Sequence, residues 1–184
     1  TFYNAGHILG SAQVHLHIGN GLHNIVYSGD MKFGITELLD IADTKFPRVE
    51  TLLLEATYGG KENLLPSREL EETKIVEIVN STIKNKGKVL LPVLGVGRAQ
   101  EILLILEKLM RNKRIPELTV YLDGMVWDVN AIHTAYPEFL NSNVRKRIFH
   151  ADSNPFLKEC FKQVGSKKER DEVMVGDGNE KENK

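Results

Sequence analysis

Apolar residues recur at one period before Tyr58-Gly59-Gly60 and at another after it, and that change restricts the chain more than its composition does. Before it, Gln13-Val14-His15-Leu16-His17-Ile18 alternates polar and apolar side chains and reads as a half-exposed strand. Asn24-Ile25-Val26-Tyr27-Ser28 reads as a second strand, with Gly19-Asn20-Gly21 as the hairpin turn between them. Thr51-Leu52-Leu53-Leu54 is a short continuous apolar run, the pattern of a strand buried on both faces.

After the change, strands and helices alternate. Leu70, Ile75, Ile78, Val79 and Ile83 fall at helical spacing from Ser67 to Lys84, with Ser67 as cap and Gly87 as stop, and Lys88 to Val93 forms the next strand. Ala99, Ile102, Leu103, Leu106, Leu109 and Met110 repeat behind Gly95-Val96-Gly97, and Leu118 to Leu122 supplies another strand. A strand, a turn, a helix and a strand in that order predict a parallel sheet covered by helices. Gly124 to Ala135 is a helix broken by Tyr136-Pro137, and Asn154-Pro155 opens a short last helix through Phe156, Leu157, Cys160 and Phe161. Gly176 to Lys184 holds no apolar residue and is expected to be solvated. The fold class is α/β, α+β overall, with units at residues 1–60 and 61–175 and a polar tail at 176–184.

Composition narrows the function. With 24 basic and 25 acidic residues the formal net charge is -1, so the chain lacks the bulk basicity of a histone-like binder and any nucleic-acid contact must be local. One cysteine, Cys160, excludes an internal disulfide and a multi-cysteine zinc site and suits a reducing interior. No apolar run approaches the roughly 18 residues that cross a bilayer, and no signal peptide opens the chain, so a soluble, cytoplasmic protein is expected. The sequence begins inside a motif and without Met, so a natural N-terminus farther upstream is also expected.

Three polar residues stand at or just beyond strand ends, where a sheet holds the backbone rigid: His7 in Asn4-Ala5-Gly6-His7-Ile8-Leu9-Gly10-Ser11-Ala12, Asp30 after Ser28-Gly29, and Glu55 before Ala56-Thr57-Tyr58-Gly59. His and Asp are the nitrogen and oxygen ligands of hydrolytic zinc sites, and an Asp can bridge two ions. Taken singly each is ordinary: a His beside glycines is more often a turn residue, and Ser-Gly-Asp is a common turn tripeptide. Gly95-Val96-Gly97 could cradle a phosphate with backbone N–H groups, with Arg98 beside it, but Gln100 replaces the third glycine of a dinucleotide fingerprint. Arg145-Lys146-Arg147 is a basic run that could touch a phosphate backbone, although most such runs are solvated faces. His133 and Trp127 read as packing residues, and His23 and His150 as ordinary strand or surface residues.

The blocks around His7, Asp30 and Glu55, together with Leu91-Pro92-Val93, Gly97-Arg98-Ala99-Gln100-Glu101, Asp123-Gly124-Met125 and His133-Thr134-Ala135-Tyr136-Pro137-Glu138, resemble, in order, the β-CASP ribonucleases of the metallo-β-lactamase superfamily. The closest likeness is to archaeal relatives of the cleavage and polyadenylation endonuclease. The resemblance implies part of an αββα metallo-β-lactamase sandwich over residues 1–60 and an incomplete parallel-sheet β-CASP domain over 61–175. It makes His7 a zinc ligand, Asp30 the bridge between two zinc ions and Glu55 the acidic residue of the first β-CASP motif, with Asp30 and Glu55 as the catalytic residues. Single-stranded RNA is the implied substrate, cut internally, from the 5′ end, or both, and a homodimer of the complete protein is compatible with the family. Arg98, Arg145, Lys146 and Arg147 are the candidate RNA contacts.

The chain departs from the family by lacking the upstream His-x-His-x-Asp-His segment and the two downstream histidine motifs. His15-Leu16-His17 is no substitute, since no Asp-His follows. Two ligands cannot close a zinc site, so this chain alone is expected to bind zinc weakly and to cleave nothing. A non-catalytic subunit of the same family is the first rival, and a small-molecule hydrolase, which would lack the βαβ insertion, is the second. In space, His7, Asp30 and Glu55 should meet at one open sheet edge, with His15 and His17 on a face away from it.

Overall fold

The computed structural model describes residues 1–149 and 154–175, so His150 and the tail at 176–184 lie outside the described residues. Among the described residues the architecture is mixed α/β: a four-stranded sheet, a two-stranded sheet and five α-helices. None of these helices is long and apolar enough to cross a membrane.

The first sheet is built from β1 (Phe2–Asn4), β2 (Ala12–Ile18), β3 (His23–Tyr27) and β4 (Thr51–Leu53), in that spatial order. β2 pairs antiparallel with β1 and with β3, Leu16 opposite Ile25, whereas β4 runs parallel to β3 with Leu52 opposite Val26. The β2–β3 turn closes because Gly19, Asn20 and Gly21 all take positive φ, a conformation open to Gly and Asn.

The polar face of the hairpin is the buried one. Gln13, His15 and Asn24 are each 1 % exposed. The segment leading into β4 covers them and supplies acceptors: Gln13 Nε2 donates to Asp43 O at 2.7 Å, and His15 Nε2 donates to Arg48 O at 2.9 Å. Leu16, Ile18 and Tyr27 on the opposite face stay exposed. β4 is not buried on both faces as its composition suggests. It is an edge strand, and Leu52 and Leu53, with Leu54 just beyond, remain about half exposed.

The second half is organised around α2 (Arg98–Arg111). One side of α2 packs Ile105, Leu106 and Leu109 against Val79 of α1 (Arg68–Lys84) and Ile115. A second side sets Ala99 and Leu103 against Leu122 of β5 (Val120–Leu122), Val126 of α3 (Val126–Ala135) and Phe161 of β6 (Phe161–Gln163). On a third, Leu104 joins Leu38 and Leu39 from the first half to Leu140, Phe156 and Val144 of α4 (Ser142–Phe149). α1 begins where Ser67 Oγ accepts from Leu70 N–H at 3.3 Å, and its chain leaves through Lys86 at φ 54.

Two expected elements are absent. Lys88 to Val93 forms no ladder, and Leu90, Leu91 and Val93 are exposed, because no described strand lies alongside to complete their hydrogen bonds. The parallel pairing falls instead between β5 and β6, with α3, a 3₁₀ turn at Pro137–Phe139 and α4 in the crossover. Asn154 to Cys160 makes turns rather than a helix: Asn154 Oδ1 accepts from Phe156 N–H, an Asx turn that competes with a helical start. The last helix is α5 (Lys167–Val175), which has no buried residue. Cys160 is half-buried, and burial pushes its thiol up from the ordinary value, as befits a small packing residue.

Candidate functional site

The loop that presents His7 is shaped by its own neighbours. Asn4 Oδ1 accepts from Gly6 N–H at 2.9 Å while Asn4 Nδ2 donates to Ile41 O at 3.0 Å. Ser11 Oγ accepts from the backbone N–H groups of both His7 (3.1 Å) and Ile8 (3.2 Å). Gly6 has φ +66, and a Cβ there would meet Ala42 N at 2.7 Å and Lys32 O at 2.8 Å, so only glycine lets these segments touch.

Ser28 performs the same service for Asp30 and Glu55. Its hydroxyl donates to Gly29 O at 2.8 Å and accepts from Glu55 N–H at 3.0 Å, which joins the ends of β3 and β4. The Glu55 carboxylate then accepts from Met31 N–H (3.3 Å) and Thr57 N–H (3.0 Å). The Thr57 N–H first, the Thr57 side chain next and the Met31 N–H after it hold its carboxyl below the ordinary value against a burial penalty, and the nearby His7 adds to the effect.

His7 Nε2 and Asp30 Oδ2 lie 3.9 Å apart, with the His7 side chain 34 % and that of Asp30 77 % exposed. Asp30 and Glu55 share a shallow cleft of about 220 Å³ with Tyr27, Ser28 and Leu54. The fold therefore gathers all three side chains where the sequence expectation put them, at one end of the sheet. His15 and His17 stand elsewhere, ring centroids 4.4 Å apart, bonded to Arg48 O and to Asn24 Oδ1. Among the described residues no three His, Cys, Asp or Glu side chains assemble at the spacing of a metal site. The donor types of His7 and Asp30 suit zinc, and their number falls short of a closed site.

At the Gly95-Val96-Gly97 turn, the N–H groups that lead into α2 are already bonded. Gly97 N–H donates to Gln100 Oε1 at 2.7 Å, Arg98 N–H to Val96 O and Ala99 N–H to Leu94 O. Gln100, fully buried, also donates to Gly95 O and to Asn130 Oδ1 at 3.0 Å, so it locks the turn from inside. Gly97 has φ +78, and a Cβ on it would lie 2.7 Å from Ile8 Cγ2 and 3.9 Å from His7 O, so the start of α2 is packed against the His7 loop. Arg98, the first residue of α2, is exposed there.

The basic run on α4 is less available. Arg147 pairs with Glu107 at 2.7 Å, and Arg145 is half-buried, which leaves Lys146 as its exposed member. His133 is buried against Phe156, its Nδ1–H donating to Val129 O, and Trp127 packs beside the Ala99–Leu103 core. His23 Nε2 bonds Thr51 Oγ1 on the surface.

Sequence reasoning missed Lys32 and a charged cluster on α1, α2 and the segment after Asp30. Arg68 binds Glu101 at 2.6 Å and Glu72 at 3.2 Å, and Lys108 binds Glu37 at 2.6 Å and Glu72 at 2.8 Å. Burial lowers the Lys32 ammonium from its ordinary value, helped by Arg98 and Arg68 and opposed by Glu101. Only the position of Lys32 two residues after Asp30 could have drawn notice, since nothing local reports that Arg98 is near.

The sequence matches the Beta-Casp domain family over residues 99–184. Over 177 residues it is 50% identical to transcription termination factor FttA of Methanothermobacter thermautotrophicus and 53% identical to the protein of that name from Methanocaldococcus jannaschii, in each case 96% of this chain and 28% of the relative. It is 53% identical over 180 residues to the Pyrococcus horikoshii protein of that name, covering 98% of this chain and 27% of the relative.

Proposed function

Because the chain belongs to the β-CASP family, alongside archaeal relatives, we propose that it is the part of a zinc-dependent ribonuclease that supplies one corner of the metal centre and most of the β-CASP insertion. The observation that carries this reading is the 3.9 Å approach of His7 Nε2 to Asp30 Oδ2 beside an anchored Glu55 carboxylate. In this reading the whole protein hydrolyses RNA phosphodiester bonds, as an endonuclease, a 5′ exonuclease or both, on single-stranded RNA. That the relatives are named transcription termination factor supports a role for the whole protein in ending transcription.

His7 and Asp30 would hold zinc, two ions in the complete enzyme, and bound zinc supplies an activated water and charge stabilisation at the phosphate oxygens. The chain's own contribution is positional. Ser11 fixes the backbone from which His7 projects, and Ser28 fixes the separation of the Asp30 and Glu55 loops. Glu55 stays ionised and satisfied by backbone N–H groups, so it braces the loop that carries Asp30 through Met31. With two such donors gathered among the described residues, the isolated chain is expected to be inactive, and added zinc should neither raise its melting temperature by several degrees nor elicit RNA cleavage.

The test is made in the full-length protein. His7→Ala and Asp30→Asn should each lower the zinc bound per protein, read by elemental analysis, and lower RNA cleavage on the order of a thousandfold. Wild-type zinc content and cleavage in both variants would remove His7 and Asp30 from the metal centre.

A further inference from the structure

Among the described residues, two cations near the His7–Asp30 corner make no direct ion pair. Lys32 stands on the segment after Asp30, its backbone bonded on both sides: its N–H donates to Ala5 O and its carbonyl accepts from Ala42 N–H, both at 2.9 Å. Arg98 follows Gly97, whose α-carbon is packed on Ile8 and close to His7 O. The two therefore approach the His7 loop from the two halves of the chain. Among the described residues neither the Lys32 ammonium nor the Arg98 guanidinium makes a hydrogen bond or an ion pair, while each lies within the other's electrostatic reach.

Three carboxylates of this seam are engaged by other groups, although Glu101 Oε2 has no hydrogen-bond partner among the described residues and Glu101 still attracts Lys32. Glu101 Oε1 accepts from Glu37 N–H and from Arg68, Glu72 is shared by Arg68 and Lys108, and Glu37 is held by Lys108. On this seam Lys32, Arg68, Arg98 and Lys108 outnumber Glu37, Glu72 and Glu101 by one, while Asp30 and Glu55 stand beside them at the corner that would hold zinc. Like charges fixed close together repel, and an anion placed between them relieves that repulsion without further ordering of the fold.

We propose that Lys32 and Arg98 form a two-sided clamp for one RNA phosphodiester, adjacent to the phosphate that the His7–Asp30 corner addresses. Side chains carry this recognition, because the first N–H groups of α2 are taken by Gln100, Val96 and Leu94. The clamp is assembled only when the start of α2 is seated on the His7 loop, so it couples RNA binding to the docking of the β-CASP insertion on the sheet. It rests on the RNA reading given above and extends it from the reacting phosphate to a neighbouring one.

The experiment measures binding of a labelled single-stranded RNA to the full-length protein, stripped of metal by chelator, over a series of salt concentrations. Lys32→Gln and Arg98→Gln should each weaken binding on the order of tenfold and lower the salt slope by about 0.7, the value for one phosphate contact on a single strand. The double variant should lose less than the product of the two single losses, because both cations act on one phosphate. Lys32→Arg should retain most of the affinity. If a Gln variant melts early, Lys32→Met and Arg98→Met keep the apolar stems and read the same quantity. Unchanged affinity in either single variant, or losses that simply multiply in the double, overturns the clamp. Weakened binding by the variants in a protein that cleaves no RNA when metal-loaded would sink the nuclease reading and leave the clamp standing. Cleavage by the wild type with binding unaltered in both variants would do the reverse.

Discussion

Two groups with lowered pKa values show how differently the same direction can arise. Glu55 is lowered because backbone N–H groups bind its charged form, Thr57 foremost, whereas His133 is lowered because burial opposes its charged form. His133 donates through Nδ1 to Val129 O, and its Nε2 is buried without a partner, so a second proton would have no acceptor. Both groups bind protons more readily unfolded than folded, so both favour the fold at higher pH. The Glu55 contribution is present above the ordinary carboxyl range and is lost as pH falls through its lowered value. That of His133 is complete above about 6.5, the ordinary imidazole value, and is lost as pH falls below it toward the depressed folded value. Hydrogen exchange along α3 should therefore quicken between neutral pH and about pH 5, beyond the intrinsic change of exchange rate with pH, and His133→Leu should flatten that excess. An unaltered pH profile in the variant would mean that another group sets it.

At the scale of elements, α2 decides more than any strand. Its three buried sides hold α1, the β5–β6 pair and α4, and its first turn rests on the His7 loop through a glycine. Gly97→Ala meets two obstacles at once: a positive φ that disfavours a side chain, and Ile8 Cγ2 at 2.7 Å from the new methyl group. We expect a cost of about 1–3 kcal/mol, with faster hydrogen exchange at residues 7–11 as the loop gives way. A variant with wild-type melting temperature and exchange would show that the turn has slack. At the exposed start of α1, Ser67→Ala should cost about 1 kcal/mol by removing the bond to Leu70 N–H, readable by thermal melting and confined in exchange to the first turn.

At the scale of the whole molecule, the contacts between the two halves include an apolar cluster and an ionic cluster, besides the seat of Gly97 on Ile8. Leu38 and Leu39 enter the core beside Leu104, and just before them Arg68 donates to Ile35 O at 3.0 Å while Glu37 N–H donates to Glu101 at 2.8 Å. Exposed pairs of this kind contribute little singly, but here Glu72 and Glu101 keep only 11% and 13% of their side-chain surface and depend on Arg68 and Lys108. Arg68→Met would leave those carboxylates short of partners. With solvent screening discounted, a loss of about 1–2 kcal/mol is expected, along with easier proteolysis between residues 35 and 39. Unchanged stability and cleavage pattern would show that the ionic cluster does not hold the joint.

Local chemistry made much of this legible in advance. The hairpin turn, the Ser67 cap and the apolar rows of α1 and α2 depend on neighbours within a few residues, and so do the loops that carry His7, Asp30 and Glu55. For that reason their residue types and order pointed to one end of one sheet. What the tertiary structure decided are matters of distant contact. Lys88 to Val93 has strand composition and no partner strand, while Phe161 to Gln163 pairs with β5 despite reading as a helix end. The hairpin buries its polar face because carbonyls some 30 residues away accept its protons, with Gln13 and His15 on Asp43 and Arg48. Arg147 became an ion-pair partner of Glu107, and Lys32 a neighbour of Arg98, only through the packing of α2. Periodicity and capping act through bonds a turn apart and are written in the chain, whereas a charge's partner is fixed by whichever segments the core brings together.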